Sequence, residues 1–411
     1  MNILKLSPGV KYAPVSFEQE RMWTLDRFSA GGAEFNLADA VWIAGEVDEA
    51  LLVKGLNALI RRHEILRTCF EVVDERPQQR IHDEMLIDIP VSDLCGLTAA
   101  GKEDEIRRLT SELQLTSFDL AAAPLWSFRL IRCSGTERLA LLSMHHSICD
   151  GDWSMRLFFE ELARFHEGIS DRSDSAEGST TTQYQDYARR QREHWSDREF
   201  GADIAYWRQR LGTEASQSWG TRPRPPAKTN GGSSRTLVMS DPPRGHIAAL
   251  AEQAGVPLFV SLIAAFKILL YRYTREEKIT VGYPVSGRRQ PSTENLIGYF
   301  GNPMALRTKI GGDMSYRAVL REVAGTVMEA EAHQECPFQY LVEALRPARD
   351  LTATPFFQTL FSLRNCAQQD WSQRRDAGTT DRVSAVNAGR DRLPRDSLRH
   401  GDVSDRFAGR A

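Results

Sequence analysis

An apolar run that ends in two adjacent imidazoles constrains this chain more than any other feature. Leu139, Ala140, Leu141, Leu142 and Met144 lead directly into His145-His146-Ser147-Ile148-Cys149-Asp150-Gly151. The run is too short and too uniform for a surface helix, and it predicts a strand buried on both faces. Met155, Phe158, Phe159, Leu162 and Phe165 then recur at helical spacing, so a helix follows almost at once. The two histidines therefore sit on a strand-to-helix corner. Successive strand side chains point to opposite faces, so His145 and His146 do not look into the same cavity. One is available for chemistry and the other is a packed, hydrogen-bonded support. Neutral imidazole is the natural general base near pH 7. Asp150 is placed to brace the corner through an ion pair with a distant arginine. Taken alone, the pair reads more readily as two core histidines beside a solvated turn.

With 411 residues the chain has room for two or three domains, each with its own core. A content of 41% hydrophobic and 26% charged residues with a net charge of -3 fits a globular protein and gives no sign of a nucleic-acid binder. The longest apolar run, Leu258 to Leu270, is interrupted by Ser261 and Lys267 and is too short to cross a bilayer, so no membrane association is expected. The first residues carry no secretory pattern. Cysteines 69, 95, 133, 149, 336 and 366 are scattered without Cys-x-x-Cys spacing, which argues against a metal site and against a disulfide framework. A cytoplasmic protein with reduced cysteines, no bound cofactor and no metal is expected.

The organisation predicted along the chain is two α/β halves and a tail. Residues 1–175 form the first half, with strands near Ala40–Ile43 and Leu125–Arg132 and a helix over Glu49–His63. Glu167–Thr182 reads as a loop and Thr221–Ser234 as a mobile surface segment. Residues 176–365 form the second half: a helical hairpin from Tyr184 to Trp207, strands at Arg235–Met239 and Lys278–Pro284, and a buried helix from Pro257 to Tyr271. Pro257 suits the first turn of that helix. In residues 366–411 apolar residues are sparse and no period survives, which predicts a poorly ordered tail.

The corner has six companions in order along the chain: Ser16–Trp23, Arg62–Phe70, Tyr184–Ala188, Ile297–Pro303, His333–Phe338, and Arg349-Asp350 with Pro355–Gln358. Together with His-His-x-x-x-Asp-Gly at His145 to Gly151 they resemble the condensation domains of non-ribosomal peptide synthetases, over nearly everything before residue 365. The resemblance implies two lobes related to chloramphenicol acetyltransferase, set in a V around a tunnel. Donor and acceptor carrier proteins, or other synthetase modules, would be the partners, each delivering a thioester on a phosphopantetheine arm. Attack of the acceptor amine on the donor thioester would form an amide.

On that resemblance His146 faces the tunnel. It either deprotonates the α-ammonium or positions the amine and stabilises the tetrahedral intermediate. His145 faces the lobe core, and Asp150 is a brace whose arginine is Arg62, Arg67 or Arg288. Gly151 allows close backbone approach or simply makes a turn. Trp23, Phe300 and Asn302 line or support the channel. Three departures stand out: Asp152 intervenes before Trp153-Ser154, Arg190 occupies a position where the family commonly has Trp, and nothing after Asn365 resembles the family's closing strands and helix. The second lobe is therefore expected to be truncated or replaced in its last part. The rival readings are a docking module without activity, an epimerisation domain, and an acyltransferase using soluble CoA thioesters.

Overall fold

The computed structural model describes residues 1–28, 32–45, 47–166, 182–197, 201–212, 243–347, 354–363 and 383–386. They fall into two units. The first takes in the described residues of 1–196, 288–300 and 366–406, and the second those of 197–287 and 301–365. The mixed α/β architecture is the one expected, but the division differs from a boundary near residue 175. The helix from Tyr184 stays with the first unit, and so does an excursion from the second half of the chain.

The first unit runs β1 (Asn2–Leu6), β2 (Val10–Pro14), α1 (Phe17–Phe28), β3 (Asn36–Ala44), α2 (Glu49–Arg62), β4 (Thr68–Val73), β5 (Arg76–His82), β6 (Met85–Asp88), β7 (Val91–Asp93), α3 (Ala99–Gln114), β8 (Trp126–Arg132), β9 (Glu137–His145), α4 (Asp152–His166) and α5 (Tyr184–Asp197). Its main sheet has the order β3-β9-β8-β7, antiparallel except for the parallel β7–β8 pair. The short strand Val383–Val386 adds antiparallel to β3 opposite Ala40–Ile43. That strand lies within the stretch expected to be unpacked; the rest of 366–411, the loop at 167–181, the segment 221–234 and the strand predicted at Arg235–Met239 lie outside the described residues.

The apolar run at 139–144 becomes β9, the central strand of this sheet, and it is buried from Arg138 to His145. Its two faces serve two cores. Ala140, Leu142 and Met144 pack with Leu52, Leu56 and Leu59 of α2 and Phe158 and Leu162 of α4. Leu139 and Leu141 pack with Ile106, Leu109 and Leu113 of α3. A strand covered on both faces needs no polar alternation, which is why this one reads as a continuous apolar run. Local signals set the helix starts: Asp48 accepts from the N–H groups of Ala50 and Leu51 at 2.9 and 3.0 Å to open α2. Ser16 and Gln19 close a reciprocal box at α1, with Gln19 N–H donating to Ser16 Oγ and Ser16 N–H to Gln19 Oε1.

The second unit runs α6 (Gly201–Leu211), α7 (Pro243–Gln253), α8 (Leu258–Thr274), β10 (Lys278–Val285), β11 (Asn302–Lys309), α9 (Tyr316–Ala332) and α10 (Phe338–Leu345). β10 and β11 pair antiparallel from Lys278↔Lys309 to Val285↔Asn302. Pro257 caps α8 rather than entering its first turn. Lys267, which broke the apolar run in the sequence, is fully buried in α8. Its ammonium donates to Leu306 O at 2.7 Å and Thr308 Oγ1 at 2.6 Å. Burial pulls its pKa down to about 7.

A native pKa below the ordinary lysine value means that the unfolded chain holds the extra proton between the two. Stability is therefore lost as pH falls from the ordinary value toward 7, by roughly 1.4 kcal/mol for each unit of separation. Lys267→Met is expected to unfold at higher urea than the parent at pH 7, and to shrink the parent's gain in stability between pH 7 and pH 9.5. Equal pH dependence in the two proteins would contradict this account of Lys267.

Candidate active site

The corner after β9 is held by backbone bonds at both histidines: His145 N–H donates to Leu125 O at 2.9 Å and His146 N–H to Phe35 O at 2.8 Å. The two side chains then part. His145 is buried. Its Nδ1 accepts from the Ser147 N–H at 3.2 Å and lies 2.8 Å from Ser147 Oγ. Nε2 therefore carries its proton, 3.5 Å from Asp26 Oδ1.

His146 is only partly buried. Its Nδ1 lies 2.6 Å from the Cys149 carbonyl, an acceptor only, so Nδ1–H donates there and Nε2 keeps a lone pair. The neighbours thus hold opposite tautomers. Burial lowers the His146 pKa from its ordinary value of 6.5, with Arg21 and His145 acting in the same direction and the Cys149 carbonyl and Asp150 opposing.

Asp150 spends both carboxylate oxygens. Oδ1 accepts from Ser154 Oγ at 2.6 Å and Ser154 N–H at 3.1 Å, which caps the first turn of α4. Oδ2 accepts from Arg288 Nε at 2.7 Å. The pair is buried, with the two side chains 1% and 7% exposed. Of the three arginines expected as partners, Arg288 is the one the structure pairs with Asp150. Its Nη1 donates to the carbonyls of Leu296, at 2.8 Å, and Thr293, and its guanidinium lies 4.1 Å over the Phe300 ring. Arg67 instead donates to the carbonyls of His82, Ile60 and Arg61. Arg62 lies 3.5 Å from Glu161, whose other partner is His63. Both arginines belong to the α2–β4 connection.

Gly151 has φ +85°, a left-handed conformation that disfavours a side chain, while a Cβ there would meet nothing nearer than Leu37 at 3.8 Å. The residue is needed for its turn. Asp152 opens α4 with an exposed side chain, where a carboxylate suits the positive helix end. Trp153 donates its indole N–H to Glu294 O at 2.8 Å. The additional residue thus leaves Ser154 in reach of Asp150.

Two residues that sequence reasoning passed over stand beside His146. Tyr299 lays its ring against the imidazole, with centroids 4.4 Å apart. Arg21 of α1 donates to the Tyr299 hydroxyl at 3.2 Å. Both lie in stretches quoted as motifs, yet nothing in the pattern singled out their side chains. Phe300 is fully buried against Tyr184 and Tyr187. Trp23 packs on the same core with Arg27 over its ring. Asn302 belongs to the second unit and spends its amide on backbone: Nδ2 donates to Gln334 O and Cys336 O, and Oδ1 accepts from Phe338 N–H. It shapes the His333–Phe338 turn. Among the described residues no group of three or more His, Cys, Asp or Glu side chains is placed to hold a metal ion.

Known proteins match this chain over most of its length. Residues 10–391 match the model of the Condensation domain family. A linear gramicidin synthase of Brevibacillus parabrevis is 38% identical over 356 residues, which is 86% of this chain and 7% of that synthase. Phosphinothricin tripeptide synthetase PhsC of Streptomyces viridochromogenes is 32% identical over 86% of this chain and 32% of its own length. Among solved structures, the X-domain from teicoplanin biosynthesis superposes with a TM-score of 0.78 at 26% identity, covering 92% of this chain and 83% of that one. The first condensation domain of the CDA synthetase has the same fold, with a TM-score of 0.69 at 20% identity over 92% and 86% of the two chains. This chain belongs to the condensation-domain family, and it spans less than a tenth of the length of the gramicidin synthase. The family model reaches well beyond residue 365, into the stretch expected to fall outside the resemblance.

Removing one member of the Asp150–Arg288 pair strands the other as a buried charge. Asp150→Ala and Arg288→Ala are each expected to cost roughly 3–5 kcal/mol in urea unfolding. The double variant should cost clearly less than the sum of the two. Simple additivity would show that the two side chains do not stabilise one another.

Proposed function

We propose that this chain forms the amide bond between two carrier-bound substrates in non-ribosomal peptide assembly. A donor acyl or peptidyl thioester and an acceptor aminoacyl thioester, each on the phosphopantetheine arm of a carrier protein, are its substrates. The observation that carries this reading is the state of His146: a neutral ring whose Nδ1–H is committed to Cys149 O, leaving Nε2 as an acceptor.

An α-amine with an ordinary pKa near about 7.7–8.0 is largely protonated at pH 7 and must lose a proton to become a nucleophile. The ammonium gives up one proton to solvent, the amine nitrogen attacks the donor carbonyl carbon, the C–N bond forms, and His146 Nε2 takes the second, surplus proton. The tetrahedral intermediate then collapses, the C–S bond breaks, and His146 Nε2–H returns that proton to the departing sulfur, giving the free thiol of the donor arm. Asp150 and Arg288 do not enter these steps. They hold the turn that places Cys149 O beneath the ring, so they are positioning residues. Gly151 supplies the turn conformation, and His145 anchors the strand end. The docking-only reading is less well supported, because the tautomer, the brace and the turn are all in place.

Mixing donor and acceptor aminoacyl carrier proteins with this chain and weighing the acceptor by mass spectrometry tests the proposal. Acceptor gaining the donor acyl mass is expected, with His146→Ala lowering the rate by about 10²–10⁴-fold. Carrier binding without product from the parent chain would reject amide formation. Because the His146 pKa lies below 6.5, the NMR midpoint of its ring should fall on the acid side of that value, apart from the limb that the substrate ammonium gives the rate. A His146 midpoint above 6.5 would contradict a neutral base.

A further inference from the structure

Tyr299 is held at more points than a packing side chain needs. Its hydroxyl accepts from Arg21 Nη1 at 3.2 Å. Its carbonyl accepts from the Tyr184 hydroxyl, which lies 2.9 Å from Ser16 Oγ at the start of α1. The preceding residue, Gly298, donates its N–H to Ser154 Oγ at 3.2 Å. A Cβ at 298 would overlap the Tyr184 ring, so the backbone runs against that ring as closely as glycine permits. Every one of these anchors belongs to the first unit. The ring they fix lies 4.4 Å from the His146 ring, tilted by 50°.

We propose that Tyr299 is a positioning residue for His146: its anchored ring walls one face of the imidazole, keeps Nδ1–H on the Cys149 carbonyl, and so keeps Nε2 directed at the acceptor amine. This inference rests on the amide-forming reading of His146 given above. One hydrogen bond leaves a ring free to swing about its axis. A second surface, perpendicular to that freedom, removes it. The same ring withholds water from His146, and burial is the largest influence on its titration. The other groups that face His146 are Arg21 from α1 and His145 and Asp150 from its own corner. Arg21 alone would hold a tyrosine hydroxyl anywhere along α1. It is the fixing of the 299 backbone by Tyr184 and Ser154 that makes the ring a wall.

The test is NMR titration of ring-labelled histidine in the full chain, read beside kinetics of amide formation. Tyr299→Phe keeps the ring and is expected to keep the parent's His146 tautomer and midpoint. Tyr299→Leu should move the midpoint up toward 6.5 and mix the tautomers. It should also lower kcat by about 10–100-fold with little change in KM. A Tyr299→Leu protein with the parent's midpoint and tautomer, whatever its melting temperature, would reduce Tyr299 to core packing and overturn the proposal. If that variant does not fold, Tyr184→Phe removes only the hydroxyl that holds the 299 carbonyl. It should shift the His146 midpoint in the same direction, and an unshifted midpoint there overturns the proposal as well. The titration needs no substrate, so it separates this inference from amide formation itself.

Discussion

The buried pair of Asp150 and Arg288 is the interaction on which the rest of the first unit depends. Asp150 alone would cap α4. Arg288 alone would be a cation in an apolar pocket, its charge facing the carbonyls of Thr293 and Leu296 and the ring of Phe300. Joined, they neutralise one another and tie a segment far along the chain to the start of α4, across 138 residues of sequence. Ser154 completes the knot, because its hydroxyl meets Asp150, Arg288 and the Gly298 backbone together. A buried pair of this kind adds little net stability over apolar packing, yet breaking it is expensive. It therefore acts chiefly as a register device, setting where residues 297–300 lie beneath the histidine corner.

Much of this was readable in the chain. The run from Leu139 to Met144 announced a doubly covered strand, and the spacing from Met155 to Phe165 announced the helix after it. The alternation rule assigned His145 and His146 to different surroundings, and their opposite tautomers follow from that difference. What the sequence did not reveal shares one physical cause: it depends on contacts between residues distant along the chain. Arg62, Arg67 and Arg288 were equivalent candidates until the carbonyls around Arg67 and the Glu161 carboxylate beside Arg62 were seen to engage two of them. Tyr299 sat inside a quoted motif, but a motif does not say which ring an aromatic side chain touches.

The unit boundary escaped for a related reason. The helix from Tyr184 is mostly polar, so composition gave it no allegiance, and Tyr184, Tyr187, Gln191 and Arg192 attach it to α1 and Phe300. Lys267 is the reverse case. It was visible as a blemish in an apolar run, and its burial turned the blemish into a titrating group with two neutral oxygen acceptors.

One further consequence follows from the excursion of residues 288–300 into the first unit. The chain leaves that unit after α5, builds α6 to α8 and β10, and only then returns to supply Arg288, Tyr299 and Phe300. Residues 1–196 carry the His-His corner, while its brace and its wall come from Arg288 and Tyr299. Completing the site therefore needs contacts of long sequence separation, whose ordering entropy precedes any gain. Cutting the molecule between its units yields an incomplete first unit, since its last structural pieces are encoded inside the sequence of the second.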